Sequence, residues 1–356
     1  MNKENRREML SIYESGIKID NELWVTRCPG NELYKISLLD KSIKLIERFV
    51  GKQNEKLFID IAYDGDSTLF LVPFMAEQLI IYNMKKHTSQ SIKCKESADT
   101  RYVLGVVDTG YIYLFPKTMG GIARINIEDG RTEYRYNLIS YLAEHISYET
   151  QIFYAHYSFK GKLYLPLMEN SILIEYDCKN DKFNLYDIDT VDNIGIYDCI
   201  GVGEELYLLD RYGTVYCFNI ITKTVQKIFS LKDGMLQPYS HIRVNHNEIW
   251  LIPYTKDKIA IYNFLTSEVE FLDIIPSERK EKYYKKIFFE TGKLWLYPYL
   301  TKSFIEIDMN TRQMQGYTMS FSNTISEFIS KLPAYEKKEN SMGQFGEIIY
   351  KTLKSW

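Results

Sequence analysis

Short apolar segments centred on an aromatic residue recur along the whole chain. Seven segments place one aromatic side chain between two aliphatic ones, and they begin 43 to 51 residues apart. The central residues are Trp24, Phe70, Tyr113, Tyr164, Tyr207, Trp250 and Trp295. A period in the forties is typical of a repeat that forms one four-stranded propeller blade.

A small turn-forming residue follows each apolar segment at a nearly constant distance. It stands thirteen or fourteen positions after the first aliphatic residue of the segment. These residues are Ser37, Asn83, Asn126, Asp177, Asn219, Asn263 and Asp308. Side chains of this kind can close a turn on their own backbone. We therefore predict that each one ends a strand.

Residues 241–273 show how one unit is built. Residues 241–244 predict a first strand, and the apolar run 249–252 predicts a second, which Pro253 stops because it has no N–H to donate. Residues 259–262 form a third apolar run, and 268–272 alternate polar and apolar as a half-exposed strand does. Four strands per unit, named A to D from the innermost outwards, predict an all-β, seven-bladed β-propeller with the seven aromatic residues buried on strand B.

The repeat sets the expected domain boundaries. Residues 17–321 would form the propeller, 1–16 a lead-in and 322–356 a short C-terminal helical extension. Ile325, Phe328 and Ile329 lie at helical spacing, which predicts that residues 323–355 form two amphipathic helices. The helices would fold back on the propeller, or mediate self-association or docking to a partner.

Two junctions between units are longer than the others. In the third unit the excess is residues 137–146, where Leu138, Tyr141, Leu142 and His145 fall at helical spacing and predict a short helix. The sixth junction, residues 277–286, is highly charged and is typical of a solvated loop.

Composition excludes several classes of function. The net charge of −3 and the absence of a basic run argue against nucleic acid, which requires clustered cations. No apolar run approaches the length of a membrane span, and the charged first residues indicate no signal peptide. Five cysteines without a CxxC pair predict neither a disulfide set nor a zinc site. We expect a cytoplasmic protein.

The repeat resembles the propeller group that includes Kelch-like and quinoprotein-like repeats. In both, an aliphatic-aromatic-aliphatic strand leads to a strand that ends in Asn or Asp. The double glycine of Kelch repeats is absent, since Val72-Pro73 and Ile252-Pro253 stand there instead, and Asp129-Gly130 is an isolated partial match to the quinoprotein pattern. The resemblance implies a fold only, because propellers carry many unrelated functions.

The chain contains none of the common catalytic or cofactor motifs. No glycine-rich phosphate loop, HExxH zinc motif or GxSxG nucleophile motif occurs, and the five histidines form no pair at helical spacing. We predict no cofactor and no metal site.

Polar and aromatic residues concentrate at the predicted starts of strand A, which border the central channel. Aligning the units gives ten candidate ligand-binding residues: Arg101, Tyr102, Tyr154, His156, Tyr197, Asp198, Tyr239, His241, Arg243 and Tyr284. Aromatic faces beside hydrogen-bonding groups suit sugars or peptides, and Arg suits carboxylate or phosphate. A chain with 30 tyrosines also places Tyr at many purely structural positions.

Two functions remain open from the sequence. The first is a binding module for a protein, peptide or glycan, acting through the face that carries the D–A and B–C loops. The second is a lyase or hydrolase for a polar sugar- or peptide-like substrate at the channel mouth, with His156, His241 and Asp198 as acid, base and orienting carboxylate. The absence of a catalytic motif favours the first.

Overall fold

A computed structural model shows seven antiparallel sheets that follow one another along the chain. It describes residues 12–321 except 29–30, 50–56, 119, 146–152, 154, 189–193, 233, 255, 275–283, 291, 299–302 and 319. Each sheet contains four consecutive strands in chain order, and the first carries one additional short strand. The predicted seven-bladed propeller is confirmed.

The strands of the first four blades are as follows. Blade 1 contains β1 (Ile12–Ile19), β2 (Glu22–Cys28), β3 (Glu32–Ser37) and β4 (Ser42–Arg48), and blade 2 contains β5 (Phe58–Tyr63), β6 (Thr68–Pro73), β7 (Gln78–Asn83) and β8 (Thr88–Lys93). Blade 3 contains β9 (Tyr102–Asp108), β10 (Tyr111–Pro116), β11 (Ile122–Asn126) and β12 (Thr132–Arg135), and blade 4 contains β13 (Tyr157–Phe159), β14 (Lys162–Pro166), β15 (Ile172–Asp177) and β16 (Lys182–Asp187).

The remaining strands complete the ring. Blade 5 contains β17 (Ile196–Val202), β18 (Glu205–Asp210), β19 (Thr214–Asn219) and β20 (Val225–Ser230), and blade 6 contains β21 (Tyr239–Asn245), β22 (Glu248–Pro253), β23 (Lys258–Asn263) and β24 (Val269–Asp273). Blade 7 contains β25 (Tyr284–Glu290), β26 (Lys293–Pro298), β27 (Ser303–Asp308) and β28 (Met314–Thr318), and β29 (Ser320–Phe321) follows β4 in the first sheet.

The first strand of each blade is the innermost one. Strand β1 contacts β5 on one side and β25 on the other, β5 contacts β9, and β17 contacts β21. The contact between β1 and β25 closes the ring between the first and last blades.

The seven aromatic residues of the repeat all lie on strand B and are at most 6 % exposed. Three of them pair with an aromatic ring of the following blade. The ring centres of Trp24 and Tyr82 are 5.9 Å apart, and those of Tyr164 and Phe218 are 6.3 Å apart. Tyr207 lies 5.6 Å from Phe264 in the same way. The prediction that these residues form buried contacts between blades is confirmed.

The turn-forming residue of each unit is the last residue of strand C, as predicted. Its side-chain oxygen accepts hydrogen bonds from backbone N–H groups of the C–D turn; Asn219 Oδ1, for example, accepts from Ile221 at 3.0 Å and Thr222 at 2.9 Å. The residue four positions later has a positive φ in all seven blades. These residues are Lys41, His87, Gly130, Asp181, Lys223, Ser267 and Arg312.

A bulge interrupts the pairing of strands A and B near the start of strand A. The register shifts there in six of the seven blades, for example between Ile196 and Asp198 and between Tyr239 and His241. A bulge changes the direction of the side chains that precede it. The first residues of strand A therefore do not continue the alternation of the rest of the strand.

The helix expected in the third unit is present. Helix α1 (Asn137–His145) lies between blades 3 and 4, and it buries Leu138, Ile139 and Leu142. The Tyr141 ring lies 5.2 Å from Phe183 of β16, so the helix is attached to the outer part of blade 4.

A buried carboxylate between blades 4 and 5 is surrounded by cations and hydroxyl groups. Glu175 on β15 is 2 % exposed; it accepts from Lys162 at 2.5 Å, from the Tyr164 hydroxyl at 3.0 Å and from Lys223 of the blade 5 turn. The Lys223 ammonium also lies 5.2 Å from the centre of the Tyr186 ring. Burial alone would raise the pKa of Glu175, but these donors hold it at about 2.

The same arrangement closes the ring between blades 7 and 1. Glu306, at the position of β27 equivalent to Glu175, pairs with Lys293 at 2.9 Å and with Lys41 of the blade 1 turn at 3.3 Å. The Lys41 ammonium lies 4.0 Å from the centre of the Tyr317 ring. A lysine of positive φ thus joins its blade to the preceding one at both boundaries.

Two predicted segments, the C-terminal helices and the charged sixth junction, cannot be compared with the structure. The chain divides into two compact units, residues 1–320 and 321–356. The predicted helices of residues 323–355 lie outside the described residues, as does most of the charged junction 277–286. Strand β1 begins at Ile12, within the range expected to be a lead-in.

Asn219→Ala should lower the free energy of unfolding by about 1 kcal/mol, because two backbone N–H groups lose their acceptor. Asn219→Asp keeps that acceptor and should have little effect, since Asp already occupies this position in blades 4 and 7. Urea unfolding of both variants measures the difference, and equal losses would contradict the capping role.

Acid should remove the contribution of Glu175 to stability. The pKa of Glu175 falls from 4.5 to about 2 on folding, so its contribution is complete above pH 4.5 and is lost as the pH approaches 2. The difference in unfolding free energy between wild type and Glu175→Gln should decrease over that range by at most about 3 kcal/mol. Glu133→Gln, which breaks the exposed ion pair with Arg124, serves as the control and should cost at most about 1 kcal/mol at neutral pH.

Candidate functional site

The predicted ligand face is built from the starts of the A strands and from the D–A and B–C connections. Three of its candidate tyrosines are core residues, since Tyr102, Tyr197 and Tyr239 are at most 5 % exposed. The Tyr102 hydroxyl donates to the Cys94 carbonyl oxygen at 3.0 Å, and burial raises the pKa of Tyr102 far above its usual value. These side chains stabilise the blades and present little surface to a ligand.

The structure describes three other candidates to different extents. Tyr154 lies outside the described residues, and only the backbone of Tyr284, paired with Pro298, is described. Arg101 precedes β9, and its guanidinium donates to the carbonyl oxygens of Ala98 and Thr100.

Asp198 and Arg243 meet at the boundary between blades 5 and 6. Asp198 Oδ2 accepts from the Ile242 backbone N–H at 3.0 Å and from Arg243 Nη1 at 3.1 Å. Burial raises the pKa of Asp198, while the Arg243 charge and the N–H donors oppose that effect. The pair joins the inner strands of two blades at the wall of the central channel.

His241 is next to this pair in the chain. Its ring is almost completely buried, and Nδ1 lies 2.8 Å from the Ser240 hydroxyl oxygen. The backbone N–H of the next residue, Ile242, donates to the Asp198 carboxylate. The carboxylate therefore binds β21 directly beside His241.

An equivalent aspartate in blade 2, Asp60, lies within electrostatic range of His156. Asp60 Oδ2 accepts from the Gly105 backbone N–H of blade 3 at 3.2 Å, as Asp198 accepts from Ile242. Burial lowers the pKa of His156, and the Asp60 charge opposes that change. Asp60 belongs to the inner strand of blade 2, and His156 directly precedes the inner strand of blade 4.

The connection between blades 5 and 6 presents exposed apolar side chains on the same face. Met235 is 41 % exposed and Leu236 is 50 % exposed. The segment is held by backbone hydrogen bonds from Leu231 N–H to the Gly213 oxygen at 3.1 Å and from Gln237 N–H to the Arg211 oxygen at 2.7 Å. These bonds fix the connection against the B–C loop of blade 5.

Asp210 orders that B–C loop. Its buried carboxylate accepts from the backbone N–H groups of Tyr212 and Thr214, each at 2.8 Å. The residues predicted from the sequence do not include Asp210, Met235, Leu236 or Asp60. The signal for Asp60 was available, because its position in the unit is the same as that of Asp198.

Two clefts lie on the opposite face, at the A–B and C–D turns. One of 480 Å³ is bordered by Lys162, Glu175 and Asp181. The other, of 490 Å³, lies between blades 1 and 2 and is bordered by Asp20, Trp24 and other residues. Several connections of the predicted ligand face, including residues 50–56 and 189–193, are outside the described part of the chain. Ligand binding on the D–A and B–C face therefore stays a prediction.

Within the described ranges, no three His, Cys, Asp or Glu side chains are placed to hold a metal ion. No helix in those same ranges is long and apolar enough to span a membrane.

Asp198→Ala should lower the free energy of unfolding by about 3 kcal/mol, because it removes the buried carboxylate that pairs with the half-buried Arg243 and accepts from the Ile242 N–H. Asp60→Ala removes the equivalent N–H acceptor, and because Asp60 pairs with no Lys or Arg among the described residues, the change should cost about 1 kcal/mol. Chemical unfolding of both variants makes the comparison, and a cost for Asp198→Ala no greater than that for Asp60→Ala would contradict a stabilising ion pair.

Comparison with known proteins identifies the fold and not a family. No protein-family model matches the chain, and no curated protein is similar to it in sequence. The structure is similar to Sqt1 of Saccharomyces cerevisiae, with a TM-score of 0.62 and 9 % identity over 88 % of this chain and 86 % of that one. It is also similar to BamB of Moraxella catarrhalis, with a TM-score of 0.56 and 10 % identity over 86 % of this chain and 88 % of that one.

A third similar structure is the extracellular domain of BT4673 from B. thetaiotaomicron. The TM-score is 0.57 at 11 % identity, over 81 % of this chain and 37 % of that one. Because a similar propeller occurs in an extracellular domain, the cytoplasmic location stays a prediction. At these identities the comparisons show a shared propeller fold alone.

Proposed function

We propose that the protein is a binding module that holds a protein or peptide partner on the face of the D–A and B–C connections. The observation that carries the proposal is the exposed Met235 and Leu236 pair on a connection fixed by backbone hydrogen bonds. Adaptable apolar side chains on a rigid scaffold are a common basis for partner binding.

Polar groups beside the apolar pair would give the interaction its specificity. Lys232 of the same connection is exposed, and its ammonium lies 4.8 Å from the centre of the Tyr212 ring on the B–C loop of blade 5. Interfaces typically combine an apolar centre with a polar rim, and Met and Arg are enriched in them. The apolar pair favours a peptide or protein over a glycan, the third ligand class that the sequence left open.

The fold supports the proposal in a general way. Propellers similar to this one include a subunit in a structure of the mitotic checkpoint complex, which is an assembly of proteins. That similarity covers 90 % of this chain at 10 % identity. It supports partner binding as a class of function, without naming a partner for this chain.

A second function is favoured by His156. Burial lowers the pKa of its imidazole, which favours the neutral form, and the Asp60 charge acts in the opposite direction. A neutral imidazole in a channel can accept a proton, which is the role of a general base in a lyase or hydrolase. Turnover of an oligosaccharide or peptide panel tests this function, and activity that survives His156→Gln would exclude that role.

Replacing both apolar residues by Asp (Met235→Asp with Leu236→Asp) should weaken partner binding at least tenfold, because it places charge in the apolar centre of the interface. The partner is first identified by cross-linking in the native cell, and its affinity is then measured by calorimetry with purified components. Leu265→Asp is the matched control, since Leu265 is 76 % exposed on the opposite face.

The cross-links themselves give an independent test. They should fall on the D–A and B–C connections of blades 5 and 6. Cross-links confined to the opposite face, or a loss of affinity only for Leu265→Asp, would contradict the proposal.

A further inference from the structure

A tryptophan that borders the cleft between blades 1 and 2 has an indole N–H without an acceptor among the described residues. Trp24 of β2 is 4 % exposed, and its Nε1 forms no hydrogen bond in that part of the chain. The equivalent Trp250 of blade 6 donates to Glu248 at 3.1 Å. Because a buried donor without an acceptor is costly, such a donor beside a cleft indicates a place where a ligand can supply the acceptor.

A short turn residue accounts for the cleft. At the boundary between blades 6 and 7, Arg312 of the C–D turn pairs with Glu248 at 2.5 Å and lies 4.9 Å from the centre of the Trp250 ring. The equivalent turn residue of blade 2 is His87, whose Nδ1 lies 3.2 Å from the hydroxyl oxygen of Tyr82 in its own blade. His87 borders the cleft, so the space that an arginine fills beside Trp250 remains accessible beside blade 1.

Trp295 of blade 7 separates the two features. Its indole N–H also has no acceptor in the described ranges, but Trp295 does not border this cleft. The Lys18 ammonium lies 5.2 Å from the centre of its ring, and Lys41 joins the boundary to Glu306. At Trp24 the unpaired donor and the cleft coincide, and Trp295 provides an internal control.

The charges around the cleft nearly cancel. Four carboxylates and three lysines border it. Lys35 pairs with Glu22 at 2.5 Å, and Lys85 pairs with Asp66 at 2.5 Å. A lining with little net charge does not concentrate ions of either sign. Its carboxylates accept hydrogen bonds from hydroxyl groups, and its ammonium and indole groups donate to oxygen, so the lining suits an uncharged ligand with many hydroxyl groups.

We propose that the cleft between blades 1 and 2 binds an uncharged sugar unit. A sugar oxygen would accept from the Trp24 N–H, and the Tyr63 hydroxyl, which also borders the cleft, would form a further hydrogen bond. The half-buried Ile46 and Met84 would contact the C–H groups of the ring. Because the Trp24 Nε1 atom is covered, binding requires Lys35, whose ammonium lies 5.6 Å from the centre of the Trp24 ring, to move aside.

The sugar site goes beyond the proposed function and does not depend on it. The cleft lies at the A–B and C–D turns, on the face opposite Met235 and Leu236. Its volume of 490 Å³ falls within the range of small-molecule sites, about 300–1,000 Å³. Sugar binding can therefore fail while partner binding holds, or the reverse.

The test follows the indole N–H signals of the full-length protein by NMR after labelling with isotope-enriched tryptophan. The chain contains four tryptophans, and Trp24→Phe and Trp295→Phe assign two of the signals. Methyl glycosides of glucose, galactose, mannose, fucose and N-acetylglucosamine are added one at a time. At least one should move the Trp24 signal downfield, because the N–H gains an acceptor, with a dissociation constant on the order of 1 mM. The Trp295 signal should stay in place.

Variants locate the bound sugar. His87→Arg should fill the cleft, because an arginine at the same turn position, also with a positive φ, lies over Trp250. It should weaken sugar binding by at least about tenfold. Ser267→Arg places an arginine at the same position of the blade 6 turn and should leave binding unchanged. Tyr63→Phe should weaken binding about fivefold through the loss of one hydrogen bond, and it provides a second test if His87→Arg does not fold.

The outcomes decide the proposal. A Trp24 shift that a glycoside causes, and that His87→Arg or Tyr63→Phe weakens, supports a sugar site. No shift with any glycoside at about 50 mM, or equal shifts of the Trp24 and Trp295 signals, would overturn it. A shift with N-acetyl-leucine N-methylamide in place of the glycosides would indicate a peptide ligand and would overturn the sugar class. Binding that is unchanged in His87→Arg would show that the sugar lies outside the cleft.

Discussion

The packing of each blade against two neighbours is the constraint on which the structure depends. Strand B is buried on both of its faces, as Leu69, Phe70, Leu71 and Val72 of β6 show with no exposed surface. A sheet that is apolar on both sides cannot be stable by itself, so every blade requires a blade on either side. A closed ring is the arrangement that gives all seven sheets two neighbours, and the contact between β1 and β25 closes it.

This architecture could be predicted from the sequence because the residues that indicate it recur at a nearly constant spacing within each blade. The aromatic residue of strand B and the last residue of strand C are each required by contacts that repeat in every blade, so their spacing is visible without coordinates. Interactions between blades are not visible in that way. Glu175 and Lys223 are 48 residues apart, and neither residue has a type that is unusual for a surface position.

The candidate site was harder to predict for a related physical reason. The bulge near the start of strand A redirects the side chains, so Tyr197 and Tyr239 enter the core while Asp198 and Arg243 meet at the channel wall. All four lie near the start of a strand A, where the sequence predicts ligand-binding residues, and the local register decides which of them enter the core.

The left-handed residue of the C–D turn has a further consequence for how the ring is held together. Glycine adopts this backbone conformation at the least cost, yet among the seven C–D turns only that of blade 3 has a glycine, Gly130, at this position. Lys41, Lys223 and Arg312 use the position to reach Glu306, Glu175 and Glu248 of the preceding blade. Glycine would relax the turn at Ser267, whereas at Lys223 it would relax the turn and loosen the joint with blade 4. A less favourable backbone conformation is thus kept where the side chain holds two blades together. Replacement by glycine should therefore stabilise the protein at Ser267 and destabilise it at Lys223.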